Sequence, residues 1–332
     1  MRSLCATYRL AAGGPAPIAI LDVMAASGDA LDGALVALGI GAVPVGGVRL
    51  RDLLGVDRGV VARPSSTLVQ LMPHGGVRIV ALLAAALAAR GLREEARPDA
   101  SLAYPEACDE VEALALEALA HAASPLAAKL LLDQSRRWRE PRAGGGPRDA
   151  NRDAAREFIL SRLLRPALVV GVGATNIGKS TLLNAMAGAS VAIVADEPGT
   201  TRDHVGVLLD AGGLVVRYID TPGLRGRGDS QGVTDVERAA IAASLEVAKR
   251  ADLILLMTDS VAAAVVPPGL EGIPTLVVGL RGDLGPPQTA AEVVVSGLHV
   301  EGTEGARVVL DAIRRRLVPD EALRDQRPWR FW

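Results

Sequence analysis

The chain has 332 residues, 49% hydrophobic and 22% charged, with a formal net charge of -2. That suits a soluble protein of two or three domains with real cores, and it gives no global electrostatic case for nucleic acid. Its two isolated cysteines, Cys5 and Cys108, argue against a disulfide or cysteine-metal framework and point to a reducing compartment.

In chain order, residues 1–92 are rich in Gly and Ala. Strands are expected at 16–21 (APIAIL) and 67–72 (TLVQLM), and helices at 30–39 and 77–90. This reads as a small α+β domain, bounded at 1–98. The longest apolar run, IVALLAAALAA at 79–89, is too short to span a bilayer as a helix. The opening MRSLCATYRLAAGG lacks the apolar core of a signal peptide. A cytoplasmic protein with no membrane partner is expected.

Residues 102–138 read as a helical segment, interrupted at Ser124-Pro125, where Pro suits the first turn of a second helix. Residues 139–165 read as an Arg/Gly-rich linker and the helix that follows it. Between 136 and 156 stand seven arginines against three acids. That stretch is either a solvated face or a contact for RNA or an acidic partner; net charge does not favour RNA.

From Pro166 the pattern changes. Strands are expected at 166–172, 204–210, 214–220, 252–258, 274–280 and 291–296, and helices at 179–188, 234–250 and 303–317, with a hairpin at DAGG, 210–213. Alternation of strand and helix predicts a mostly parallel α/β sheet covered on both faces, spanning 166–318, with a tail at 319–332.

Gly173-Ala-Thr-Asn-Ile-Gly178-Lys179-Ser180 matches G-x-x-x-x-G-K-[ST] between a strand and a helix. Backbone N–H groups from Gly173 to Thr181 would cradle phosphates, Lys179 would neutralise them, and the Ser180 hydroxyl would ligate Mg²⁺. Only three of the 36 basic residues are lysines, and Lys179 is one. PGTTRD follows at 198–203, where Thr200 and Thr201 can reach the γ-phosphate, and Thr201 the Mg²⁺. YIDTPGL at 218–224 then supplies Asp220 for Mg²⁺ and the Gly223 N–H for the γ-phosphate.

These three motifs resemble the TrmE–Era–EngA group of P-loop GTPases. The stretches VQLMPHGGVRIVALLAAALAARG and ACDEVEALALEALAHAASPLAAKLLLD extend the resemblance to TrmE/MnmE-type tRNA-modification GTPases. It implies a GTPase domain preceded by a small α+β domain and a short helical segment. It also implies GTP/GDP and Mg²⁺ as ligands, slow hydrolysis to GDP, and K⁺ held by Asn176. The other reading of Asn176 is a loop asparagine bonding its own backbone. Position 224, where many GTPases carry a catalytic glutamine, is Leu. Glu237, in DVER, is the candidate for orienting water, or else closes a capping box with Thr234.

For guanine, the resemblance assigns Asp283 to the base edge, Arg281 to its face, and Ser296, Gly297 and Leu298 to the loop beneath it. Leu280 stands where the family has an asparagine, so weakened guanine preference is expected. In the family the N-terminal domain binds a folate donor and dimerises. A homodimer is therefore an implied partner, whereas the weak match there leaves folate in doubt. Family chains also continue into a second helical half with a cysteine motif, which this sequence lacks, so tRNA modification is not expected to carry over. The rival functions are a nucleotide-binding regulator or scaffold with little hydrolysis, and a partner-binding module whose nucleotide is structural.

Overall fold

The computed structural model describes residues 5–12, 16–140, 150–190, 206–220, 235–296 and 303–332, with backbone alone at 150–152, 235–241 and 303. The chain divides into two compact units, 1–120 and 121–331, which share the helices expected over 102–138.

In the first unit, β1 (Ala6–Ala12), β2 (Ile20–Ala25), β3 (Val48–Leu53), β4 (Asp57–Ala62), β5 (Leu68–Met72) and β6 (Arg93–Glu94) form one sheet in the order β3-β4-β5-β2-β1-β6. Every neighbouring pair is antiparallel except β1 with β6. Two helices, α1 (Gly28–Ala37) and α2 (Val77–Ala89), contribute to its main core. Leu31, Leu35, Leu83 and Leu87 join Leu21, Val23, Val69 and Leu71 there, alternate strand residues lying on one face. On the opposite face, Met24 and Leu68 meet Ala103 of α3 (Ala100–Ala103).

Three expectations shift in this unit. The strand placed at 16–21 begins at Ile20, and Ile18 makes only a single bridge, to His74. β1 escaped the sequence reading because its centre, Arg9, is a buried cation. Its Nε pairs with Asp22 Oδ2 at 3.0 Å and its Nη1 with Glu117 Oε2 at 2.6 Å, which makes the burial tolerable. The helix expected from 102 breaks at Tyr104-Pro105, since proline disfavours helix in the residue before it, and resumes as α4 (Glu110–His121).

The second unit opens with α5 (Pro125–Leu132), α6 (Gln134–Arg139) and α7 (Ala150–Ser161). Its sheet comprises β7 (Ala167–Val172), β8 (Val207–Ala211), β9 (Leu214–Asp220), β10 (Leu253–Thr258), β11 (Thr275–Gly279) and β12 (Val293–Val294), ordered β12-β11-β10-β7-β9-β8. The helices α8 (Lys179–Ala189), α9 (Asp235–Ala248), α10 (Thr303–Leu317) and α11 (Asp320–Arg324) complete it.

All strand pairs here are parallel except the β8–β9 hairpin, as the alternating pattern predicts. Gly212 (φ +62°) and Gly213 (φ +88°) make the two-residue turn, which needs left-handed backbone at both positions. The last strand shrinks from the expected 291–296 to two edge residues. Among the described residues no helix is long and apolar enough to cross a membrane.

Candidate functional site

The loop between β7 and α8 is shaped by two residues in left-handed backbone, Asn176 (φ 62°) and Gly178 (φ 111°). Ile177, buried beneath it, anchors the turn. Gly178, at the N-cap of α8, has no side chain to offer, so the N–H groups of the helix's first turn, where Ser180 and Thr181 are exposed, have no side-chain cap among the described residues. Lys179 Nζ folds back onto the carbonyls of Gly173 (3.2 Å) and Ala174 (3.0 Å). A loop of this kind, ending in an uncapped helix start and a lysine, suits a phosphate chain.

Parallel pairing sets Gly171 of β7 opposite Asp220, the last residue of β9. This brings Asp220 to the loop, where its Oδ2 accepts from Ser180 Oγ at 3.0 Å. Its Oδ1 is buried with no hydrogen-bond partner among the described residues. Gly171 is required here: a Cβ would stand 2.0 Å from the Tyr218 hydroxyl oxygen. That hydroxyl is itself buried, with no partner among the described residues, and burial, with Asp220 adding to it, raises its pKa. Among the described residues no group of three or more His, Cys, Asp or Glu could hold a metal. Ser180 with the orphaned Asp220 oxygen is a hard, oxygen-only pair. It fits Mg²⁺, which takes few protein ligands and fills its sphere with waters and phosphate oxygens.

The second end of the site lies after β11. Leu280 is 2% exposed, and its Cδ1 lies 3.6 Å from where a Cβ on Gly178 would stand. Arg281 donates from Nη2 to the Asn176 carbonyl at 2.6 Å, joining this loop to the phosphate loop. Asp283 is exposed in the short 3-10 turn Gly282–Leu284. Ser296 is close by: its Oγ would be 2.9 Å from a Cβ on Gly282, whose N–H donates to the Val295 carbonyl.

The family described as 50S ribosome-binding GTPase matches residues 168–274, the span from β7 to the start of β11. With the loop, Ser180 and Asp220 in place on a mostly parallel sheet, that match decides the fold. The second unit carries a P-loop GTPase domain. The tRNA modification GTPase MnmE of Acidiphilium cryptum is 42% identical over 160 residues, 48% of this chain and 35% of that protein. Its counterpart in Mesorhizobium japonicum is 42% identical over 163 residues, 48% and 36% of the two chains. The chain thus spans about a third of the length of these relatives. Among solved structures, Aquifex aeolicus Era aligns over 45% of this chain and 46% of its own at 24% identity, with a TM-score of 0.27.

Within the GTPase domain, the structure brings together Gly173, Asn176, Ile177, Gly178, Lys179, Ser180, Thr181, Asp220 and Arg281 around one loop. Thr200, Thr201, Gly223, Gly297 and Leu298 lie outside the described residues, as does the Glu237 side chain, although α9 includes its backbone. Sequence reasoning missed Asp259. This buried carboxylate at the end of β10 pairs with Arg281 Nη1 at 3.3 Å. Its only sequence signal is a polar residue closing a six-residue apolar strand.

Proposed function

We propose that the GTPase domain binds GTP with Mg²⁺ through the Gly173–Thr181 loop and hydrolyses it slowly to GDP. The observation that supports this best is the Ser180–Asp220 contact, which holds two oxygen ligands together beside a phosphate-sized loop. Mg²⁺, when bound, neutralises charge on the phosphate oxygens. The chain's own groups do the rest. Lys179 exchanges the Gly173 and Ala174 carbonyls for phosphate oxygens, and the first-turn N–H groups of α8 bind and orient the chain of phosphates. Thr200, Thr201 and the Gly223 N–H are the proposed γ-phosphate contacts, with Thr201 also a proposed Mg²⁺ ligand.

Asn176 is the proposed holder of K⁺. Its side-chain amide makes no hydrogen bond among the described residues, and the residue is exposed. Glu237 orients the attacking water in this reading. Asp283, Arg281, Ser296, Gly297 and Leu298 form the guanine end.

Leu280 favours a second reading, a nucleotide-binding regulator with little hydrolysis. Its buried apolar side chain contributes packing where an asparagine would contribute hydrogen bonds. The relatives are named for tRNA modification; that role, folate binding and a homodimer through the first unit stay outside this proposal. RNA binding at 136–156 is likewise left aside. Its described arginines are already engaged: Arg136 and Arg137 with Asp133, Arg139 with Ser135, and Arg156 with carbonyls of residues 325 and 328.

Equilibrium binding of GTP, GDP, ATP and XTP to the purified chain tests the proposal, followed by turnover in K⁺ and in Na⁺. Guanine over adenine, with Asp283→Asn shifting preference to XTP, supports it. Equal GTP and ATP affinity removes Asp283 from the site. Binding without turnover selects the regulator reading.

A further inference from the structure

Arg281 occupies left-handed backbone (φ 55°), a conformation that residues with a Cβ avoid unless the surroundings hold them there. Its guanidinium is held on two sides. Nη2 donates to the carbonyl of Asn176 at 2.6 Å, and Nη1 pairs with Asp259 Oδ2 at 3.3 Å. Asp259 is fixed in turn. It is 4% exposed, and its Oδ1 accepts from the N–H groups of Val261 (2.9 Å) and Ala262 (2.7 Å). Its carbonyl accepts from Gln288 N at 2.8 Å, and Gln288 Nε2 donates to the Ser260 carbonyl at 2.8 Å, which stitches the loop after β10 to the loop after β11.

One planar fork thus links three segments: the phosphate loop, the end of β10 and the turn that carries Asp283. A guanidinium can serve two acceptors in fixed directions, whereas an ammonium is a point charge. Leu280, immediately before it, contributes only apolar packing against Gly178.

We infer that Asp259 is a positioning residue for guanine recognition, which supplies through Arg281 the tie between base loop and phosphate loop that Leu280 cannot make. Asp259 acts through Arg281 and is assigned no contact with the nucleotide. The inference rests on the proposed GTP-binding reading, and it goes beyond that reading by naming what sets base selectivity in a chain without the asparagine.

The test uses the full chain and measures equilibrium GDP and ATP affinity in Mg²⁺, with the melting temperature of the nucleotide-free protein alongside. Asp259→Asn keeps an acceptor for Val261 and Ala262 but turns an amide donor towards Arg281. Arg281→Lys leaves the buried carboxylate untouched and keeps the charge. Each is expected to weaken GDP binding about tenfold, the scale of one charge-assisted hydrogen bond, and to lower the GDP-to-ATP affinity ratio, with ATP binding falling less than GDP binding. The double variant is expected to lose no more than the worse single one, because the two residues act as a unit. Adding Leu280→Asn to Asp259→Asn is expected to restore GDP selectivity. A wild-type GDP-to-ATP ratio in Asp259→Asn, or losses that add in the double variant, overturns the inference. If Asp259→Asn fails to fold, Arg281→Lys with unchanged selectivity overturns it equally. Wild-type protein that binds GDP no better than ATP sinks the guanine reading itself, and the inference with it.

Discussion

Ser180 Oγ donates to Asp220 Oδ2 across 3.0 Å, joining the first turn of α8 to the end of β9, while the second oxygen of that carboxylate is buried without a partner among the described residues. A buried carboxylate oxygen without a donor is costly, and a hard cation would relieve that cost. Ser180→Ala removes one of the three proposed ligands (Ser180, Asp220 and Thr201) without disturbing the strand pairing that places Asp220. The expected outcome is a protein that still binds GDP but whose GTP affinity no longer responds to Mg²⁺. Titration of GTP in Mg²⁺ and in EDTA reads this directly. An unaltered Mg²⁺ response in Ser180→Ala would place the cation elsewhere.

Asn176 offers a cleaner separation of backbone from side chain. It sits at φ 62°, where asparagine and glycine are tolerated and alanine is strained by roughly 1 kcal/mol. Asn176→Gly therefore keeps the loop path and the carbonyl that accepts from Arg281, and deletes only the amide. K⁺ stimulation of hydrolysis should disappear in Asn176→Gly while nucleotide affinity stays within a few-fold of the parent. Turnover in KCl against NaCl measures it. Stimulation that survives the glycine substitution rules out the side chain as the K⁺ ligand.

The phosphate end of this site was legible because its chemistry is local. Gly173, Gly178, Lys179 and Ser180 lie within one turn-and-helix stretch, and Asp220 is fixed by the register of two neighbouring parallel strands. The sheet itself was legible for the same reason, since fully buried parallel strands such as LILLMT read as uninterrupted apolar runs. What escaped depends on partners far away in sequence. β1 hides behind Arg9, whose burial makes sense only beside Asp22 and Glu117. β3, with five of its six residues at least partly exposed, lacks the alternation that marks a half-buried strand. Asp259 acquires a meaning only when Arg281 reaches it from the next loop.

Trp329 is the largest such surprise. The sequence marks 319–332 only as a tail, yet Trp329 is 1% exposed. Its N–H donates to Gln134 Oε1 at 2.7 Å, and the fully buried Gln134 turns its own amide to the Leu130 carbonyl at 2.8 Å. Phe331 packs edge-on against the indole, ring centroids 5.6 Å apart. Trp329→Ala should lower unfolding free energy by about 3–5 kcal/mol, the usual cost of emptying an aromatic site. Trp329→Phe, which keeps the backbone bond to Gln134 and most of the packing, should cost well under half of that. Urea unfolding of the two variants compares them. Near-equal, small losses would mean the tail contributes little to the second unit.

Asp325 gives the tail a pH dependence of definite sign. Burial alone would raise its pKa, but hydrogen bonds from the Arg327 side chain and backbone, with the charges of Arg156 and Arg327, overcome this and hold the pKa at about 2. A carboxyl depressed in the folded state stabilises the fold above its unfolded value, near 3.9, and loses that stabilisation as pH falls through the folded value. The window is therefore pH 4 down to pH 2, and stability above it is flat with respect to this group. The drop from near 3.9 to about 2 corresponds to at most about 2.6 kcal/mol, and to about 2 kcal/mol once the side chain's remaining exposure is allowed for. Asp325→Asn should be less stable than the parent by up to that amount at pH 6, and the gap should narrow by about half at pH 3. Denaturant midpoints of both proteins at pH 6, 4 and 3 measure it. A gap that stays constant down to pH 3 would show that the arginines surrounding residues 325–328 gain nothing from this carboxylate's charge.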